Sequence, residues 1–339
     1  MDTTTSPPDK AHAPRIGGLA AAETAALTAR VTRLSVVLAL LLVTAKGAAW
    51  LYSGSVGMLA SLGDSALDLI AAMTTFFAVR YAAAPPDEDH RFGHGKAEAF
   101  ASLVQAGLVF SSAALIGREA IGHLLRPSPV QAEIYGVVVL LVSTVAVVGL
   151  VWAQTRVLSQ TGSVAVHGDR AHYLADIVCN AAAMVGLVGA LLFKEPRIDA
   201  AAGLFVAGWL VWGAVGVFKE AAAQLMDREL APEERELILS LAAADPAVLG
   251  VHQLRSRASG PFVHLQMHME LDPAMTLSDA HRIVVAAERR ILEVFPAADI
   301  LIHADPEGQA EPHGGAFGEY EDVEAAPDAA DVGSSRKNA

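Results

Sequence analysis

Apolar residues fall into two regimes along this chain. From about residue 34 to residue 218 they come in long, nearly unbroken runs, and after Lys219 they come in short sets that alternate or recur at helical spacing. A run of about 20 apolar residues is the length that crosses the hydrocarbon of a bilayer as a helix. Six such runs are present, at 34–52, 58–79, 98–121, 134–155, 173–193 and 200–218, and they predict six transmembrane helices. An even number of crossings leaves both termini on one side. Arg30, Arg33, Arg80, Arg91, Lys96, Arg156, Arg170, Lys219 and Arg228 flank one face, against Arg118, Arg126, Lys194 and Arg197 on the other. The positive-inside rule therefore places the first face, with both termini, in the cytoplasm.

The region after Lys219 predicts a small soluble domain. Pro232 starts a helix that runs to about Ala243, and 248–257 reads as a strand. In 262–271 the alternation is strict: Val263, Leu265, Met267, Met269 and Leu271 share one face, and His264, Gln266, His268 and Glu270 the other. That is a half-buried strand and excludes a seventh crossing. Ser278 is expected to cap an amphipathic helix carrying Ile283, Val284, Ala287, Ile291 and Val294, and 299–303 forms a short last strand. The expected fold is an α-helical membrane protein of six transmembrane helices with a small α+β domain of α-β-β-α-β order at its C-terminal end. The expected boundaries are a flexible segment at 1–30, the membrane domain at 31–222, the cytoplasmic domain at 223–306 and an acidic disordered tail at 307–339.

Composition agrees and narrows the chemistry. Hydrophobic residues make up 53% of the chain and charged ones only 18%, which is far from the balance of a soluble protein. The net charge of −13 argues against nucleic acid as a partner, because a phosphate backbone asks for a basic face. The tail holds much of that charge: Glu307, Glu311, Glu319, Glu321, Asp322, Glu324, Asp328 and Asp331 stand against Arg336 and Lys337, in a setting too polar to bury a core. Residues 1–30, rich in Thr, Pro and Ala, lack the pattern of a cleaved signal peptide and are expected to form a cytoplasmic lead-in. The single cysteine, Cys179, excludes an internal disulfide and a Cys-based zinc cluster, so a metal would be held by His and carboxylate.

Three clusters of such residues stand out. Asp64 and Asp68 lie four apart on the second crossing, and His172 and Asp176 repeat that spacing at the start of the fifth, so each pair shares one helical face. A lone intramembrane carboxylate is readily a structural ion pair, here with Lys46, which could instead snorkel outward. Three carboxylates and an imidazole from two helices suit a tetrahedral divalent ion with Zn(II)-like preferences, with Fe(II), Co(II) or Cd(II) also accepted. Intramembrane ionisable clusters mark transport paths, so the ion is expected as substrate; a permanent structural metal is the alternative.

The second cluster is the loop PDEDHRFGHGKAE, with Asp87, His90 and His94, where Gly93 and Gly95 allow a tight turn. Lys96 beside it has a candidate partner in Asp227 of the MDREL segment, as a hinge or dimer latch. The third cluster belongs to the soluble domain: His252, His268, His281, His303 and Asp305 fall at strand ends and a helix start, a multinuclear metal pattern beside which His264 is a bystander.

With these motifs in view the chain resembles the cation diffusion facilitator family of metal exporters, in its bacterial ferrous-iron and zinc efflux branch. The likeness covers about residues 30–306 and rests on GSVGMLASLGDSALD, HRFGHGKAE, HGDRAHYLADIVCN, QLMDREL, GVHQLR, HMEL, AHR and IHADP. The resemblance implies a homodimer in a bacterial inner membrane with a metallochaperone-like C-terminal domain. It also implies a transport site at Asp64, Asp68, His172 and Asp176, a loop site at Asp87, His90 and His94, a binuclear cytoplasmic site at His252, His268, His281, His303 and Asp305, and an interlocking salt bridge from Lys96 to Asp227.

The expected function is efflux of Zn(II) or a similar divalent ion by proton antiport with alternating access, with the metal as substrate and regulator and no prosthetic group. Two other classes compete. A membrane metalloenzyme would need a polarised water and a general base, usually in HExxH, and no HExxH occurs. A metal sensor would bind without carrying flux.

Overall fold

The computed structural model describes residues 16–53, 56–126, 134–193 and 197–309. The first half of the expected lead-in and nearly all of the acidic tail lie outside the described residues. Six long helices come first: α1 (Ala21–Ser53), α2 (Val56–Ala82), α3 (Ala97–Leu125), α4 (Ile134–Thr161), α5 (Val164–Phe193) and α6 (Arg197–Leu225). Each of the apolar runs lies within one of them, and the helices extend beyond the runs. Among the described residues five are long and apolar enough to cross a membrane. The sixth, α5, has 30 residues, but its first half carries Asp169, Arg170, His172 and Asp176.

The outer faces of the helices are apolar, and a set of polar side chains is buried between them among Ala, Val and Leu. Phe205 and Trp212 are 75% and 74% exposed, while Ser35, Thr75, Ser102, Gln105, Gln154 and Asp169 are fully buried. Hydrocarbon solvates the first set, and the second must find its partners within the protein. The helix α1 begins at Ala21, inside the segment expected to be flexible. Its first turns are polar, but Thr28 and Thr32 return their hydroxyls to the carbonyls of Thr24 and Thr28 at 2.8 Å each, so they enter a helical interior without unpaired groups.

The chain divides into two compact units. One holds residues up to Glu229 with Arg257–His264 and Val294–Asp299; the other holds Leu230–Ser256, Leu265–Glu293 and the residues from Ile300 onward. After α6 the elements are α7 (Pro232–Ala242), β1 (Gly250–Ser259), β2 (Phe262–Leu271), α8 (Leu277–Val294) and β3 (Ala298–Pro306). The sheet order is β1-β2-β3. Hydrogen bonds from Val263 N–H to Ala297 O and from Glu307 N–H to Leu271 O run in one sense, so β3 lies parallel to β2 and α8 is the crossover.

The alternating face of β2 is the core of this domain: Val263, Leu265, Met267, Met269 and Leu271 are between 0% and 3% exposed. Arg290 donates to Leu241 O at 2.9 Å and Ala242 O at 3.3 Å, which joins α8 to the last turn of α7, where carbonyls lack helical partners.

One cap differs from expectation. The helix α8 starts at Leu277, and Thr276, not Ser278, caps it: Thr276 Oγ1 accepts the Asp279 N–H at 3.2 Å and donates to Asp279 Oδ2 at 2.6 Å. A Thr followed by an acid three residues on is a capping box, whereas Ser278 lies inside the first turn. The hydrogen bond from Thr276, followed by that from Arg282, holds the Asp279 carboxyl below the usual carboxylate range.

Candidate metal centres

The start of α5 is built by α3. Glu98, Ser102 and Gln105 follow at helical spacing on α3 and are all buried. Ser163 caps α5 by accepting the Val166 N–H at 3.3 Å, and its hydroxyl donates to Glu98 Oε2 at 2.5 Å. A carboxylate there faces unpaired N–H groups and the positive end of the helix dipole. Gly168 lets the two helices close up, since a Cβ would stand 2.8 Å from Ser102 Oγ and 3.1 Å from its Cα.

One residue further, Asp169 takes hydrogen bonds from three other helices: Ser35 Oγ of α1 at 2.8 Å, Gln154 Nε2 of α4 at 2.8 Å and Gln105 Nε2 of α3 at 3.3 Å. Gln105 also donates to Thr75 Oγ1 and Ala71 O of α2, at 2.9 and 3.1 Å. Side chains of α1, α3 and α4 thus converge on one carboxylate of α5, and Gln105 extends the network to α2.

His172 and Asp176 follow Asp169 on the same helical face. His172 Nε2 lies 3.2 Å from Asp68 Oδ1 of α2, and Asp68, His172 and Asp176 each present an atom within 4.8 Å of the other two. Residues 104 apart in sequence therefore meet, with His172 buried and both carboxylates partly buried. Two oxygens and a nitrogen can hold a divalent ion and leave one tetrahedral position. Asp64 is not brought into this group; it is exposed, one turn away on α2. Lys46, the alternative ion-pair partner, donates from Nζ to Ser65 Oγ at 2.7 Å and to Ser61 O at 3.4 Å.

The loop residues Asp87, His90 and His94 also come together. Asp87 Oδ1 accepts the N–H groups of His90 at 2.7 Å and Asp89 at 3.0 Å, and its Oδ2 lies 3.1 Å from His94 Nε2. The His90 N–H holds the Asp87 carboxyl below its ordinary range, with smaller help from Asp89 N–H and the two imidazoles. The two glycines act differently from one another. Gly93 has φ +78° and makes the turn, whereas a Cβ on Gly95 would stand 2.0 Å from Ser259 O, so its role is close approach.

Beside the loop, Lys96 Nζ meets Asp227 Oδ1 at 2.9 Å and Leu225 O at 3.3 Å, and Arg257 meets Asp227 Oδ2 at 3.1 Å. Partial burial pushes the Asp227 carboxyl up, but Lys96 and Arg257 outweigh it and hold the group below the usual range. His264, read as a bystander, is 8% exposed and has Nδ1 3.1 Å from Asp299 Oδ2.

In the soluble domain Asp305 is the hub. It lies 2.8 Å from His268 Nδ1, 3.2 Å from His303 Nε2 and 3.5 Å from His252 Nε2. The rings of His252 and His268 are stacked, with centroids 5.3 Å apart. His281 is exposed near the start of α8, apart from this group.

Sequence reasoning missed Asp169, Glu98, Gln105 and Gln154. A signal existed for Asp169, which precedes His172 by three and Asp176 by seven. Asp169→Ala leaves buried amides without an acceptor and is expected to cost about 1–3 kcal/mol, read as a lower melting temperature of the purified protein. Asp169→Asn should be milder, because Gln105 and Gln154 each hold an Oε1 without a partner that can turn toward the new amide. Equal melting of the alanine variant and the parent would show that this network does not hold the helices.

The cation efflux transmembrane domain family matches residues 32–226, and the cation efflux protein cytoplasmic domain family matches 230–307. The cation-efflux pump FieF of Cronobacter sakazakii is 39% identical over 280 residues, 83% of this chain and 93% of that one. FieF of Klebsiella pneumoniae subsp. pneumoniae is 41% identical over 258 residues, 76% and 86% of the two chains. FieF of Shewanella oneidensis is 42% identical over 278 residues, 81% and 93%. This chain belongs to the cation diffusion facilitator family: it is an integral membrane transporter for efflux of divalent cations, with a cytoplasmic domain of the dimer-forming kind, and not an enzyme.

Proposed function

We propose that this protein exports Zn(II), or a closely similar ion such as Fe(II), Co(II) or Cd(II), in exchange for protons by alternating access across a bacterial inner membrane. It works as a homodimer with both termini in the cytoplasm. The observation that carries this reading is the meeting of Asp68, His172 and Asp176 from two helices inside the membrane domain. Asp64 supplies the fourth ligand when α2 shifts, since it lies one turn from Asp68. An imidazole among carboxylates favours borderline ions over Ca(II) or Mg(II).

Exchange with protons follows from ligand chemistry. The site holds metal only with His172 neutral and the aspartates ionised, so proton entry from the outer side expels the ion. Residues 31–222 conduct and 223–306 sense metal, between a lead-in at 1–30 and an acidic tail at 307–339. The loop site of Asp87, His90 and His94 and the latch of Lys96 with Asp227 lie between these tasks.

The test is flux into sealed vesicles carrying the purified protein. Zn(II) uptake should rise with an opposing proton gradient and move protons the other way, with Fe(II), Co(II) and Cd(II) as competitors. Binding without flux would favour a sensor, and flux indifferent to the proton gradient would remove antiport.

A further inference from the structure

We infer that the protein binds an anionic phospholipid in a groove between α3, α5 and α6, with one acyl chain in the groove and the phosphate on Arg170 and Lys219. The groove is a cavity of about 450 Å³. It exists because the facing positions are small: Gly168 and Ala171 on α5, Gly213 and Gly216 on α6. Its walls are apolar, with Val109, Leu174, Trp209 and Trp212 among them. An ion path needs polar lining, and this groove lies about a third of a turn round α5 from His172 and Asp176. It is therefore separate from the candidate transport site.

The groove is basic at one end only. His167, Arg170 and Lys219 line it where α5 begins and α6 ends, the end that the distribution of basic residues assigns to the cytoplasm. His167 is engaged, with Nδ1 2.5 Å from Glu220 Oε2. The other two keep free charge. Arg170 Nε donates to Thr155 Oγ1 at 2.8 Å, which fixes the side chain while its two terminal nitrogens have no partner among the described residues. Lys219 is exposed and likewise has none.

Two unspent cations at the mouth of an apolar groove, at headgroup depth, match a phosphate carrying an acyl chain. A choline headgroup would bring a third cation to the same place. Because α5 carries His172 and Asp176 on its other face, a lipid seated against α3 and α6 bears on the helix that holds two of the candidate ligands.

Tryptophan quenching tests this on the full-length protein. Trp50→Phe and Trp152→Phe leave Trp209 and Trp212 at the groove. Vesicles contain phosphatidylcholine and phosphatidylglycerol with bromine on the chains of one lipid or the other. Brominated phosphatidylglycerol should quench more than brominated phosphatidylcholine at equal mole fraction, and salt should reduce the difference. Lys219→Gln alone, which breaks no bond in the structure, should weaken the preference about fivefold, and Arg170→Gln with Lys219→Gln should bring the two lipids to parity. Equal quenching of the parent by both lipids would mean annular lipid only and would overturn the site. So would no quenching by either, as for a groove covered by a second copy of the chain, a preference untouched by the double variant, or displacement by soluble glycerol phosphate.

Discussion

Asp68→Ala and Asp176→Ala are each expected to lower metal flux by at least about 100-fold, since even removal of groups that only orient a metal ligand costs about 10–100-fold in affinity. Asp68 and Asp176 come from different helices and converge with His172 within 4.8 Å. Removing either leaves one carboxylate and one imidazole of the cluster, and Asp64 of the proposed full site brings the set only to three, too few to replace the hydration shell of a divalent ion at four-coordinate strength. The folded dimer should survive, because the hydrogen bonds that tie α5 to α1, α3 and α4 run through Asp169. Vesicle flux together with gel filtration of the same preparations separates these effects. Near-normal flux from Asp68→Ala would remove the membrane cluster from the mechanism, and loss of the dimer would make the residue structural. Asp64→Ala should act less on binding than on transport, since Asp64 stands outside the cluster as folded here.

What could be read from the sequence follows from the range of the forces involved. The six apolar runs and the alternation of Val263 to Leu271 reflect local periodicity against lipid or core, and both reappear in the structure. The repeated four-residue spacing in α2 and α5 likewise marked Asp68, His172 and Asp176. Hydropathy does not mark where a helix begins when its inner face is polar. Thr28 fell in the expected lead-in and Thr32 ahead of the first apolar run, yet both are buried in α1 and return their hydroxyls to their own helix.

The hub at Asp169 was hidden for a different reason. Gln105 and Gln154 are unremarkable singly, and only the packing of α3 and α4 against α5 gives them a shared acceptor. Gly95 shows the same limit. Its glycine was legible as a turn signal, while its use, contact with Ser259 O, depends on residues 164 positions away.

Asp305→Ala should raise the zinc concentration that half-maximally stabilises the protein by about 100-fold, a loss of about 2.3 kcal/mol at a metal concentration that formerly exceeded Kd a hundredfold. Three imidazoles face this one carboxylate, at 2.8, 3.2 and 3.5 Å, and it is the only group among them that can neutralise part of a divalent charge or bridge two ions. The measurement is thermal unfolding of the full-length protein against Zn(II), in an Asp68→Ala background so that the membrane cluster contributes nothing.

With Asp68 intact, Asp305→Ala should raise the metal concentration for half-maximal flux and leave the order of preferred ions unchanged. On the proposed function, metal bound in the soluble domain would select among conformations by its differential affinity for them, whereas the ion that is carried would be chosen in the membrane by Asp68, His172 and Asp176. Complete loss of flux in an intact dimer would place Asp305 on the conducting path. An unchanged zinc response would mean that Asp305 and the three imidazoles around it hold no metal and are instead a hydrogen-bonded corner of the sheet.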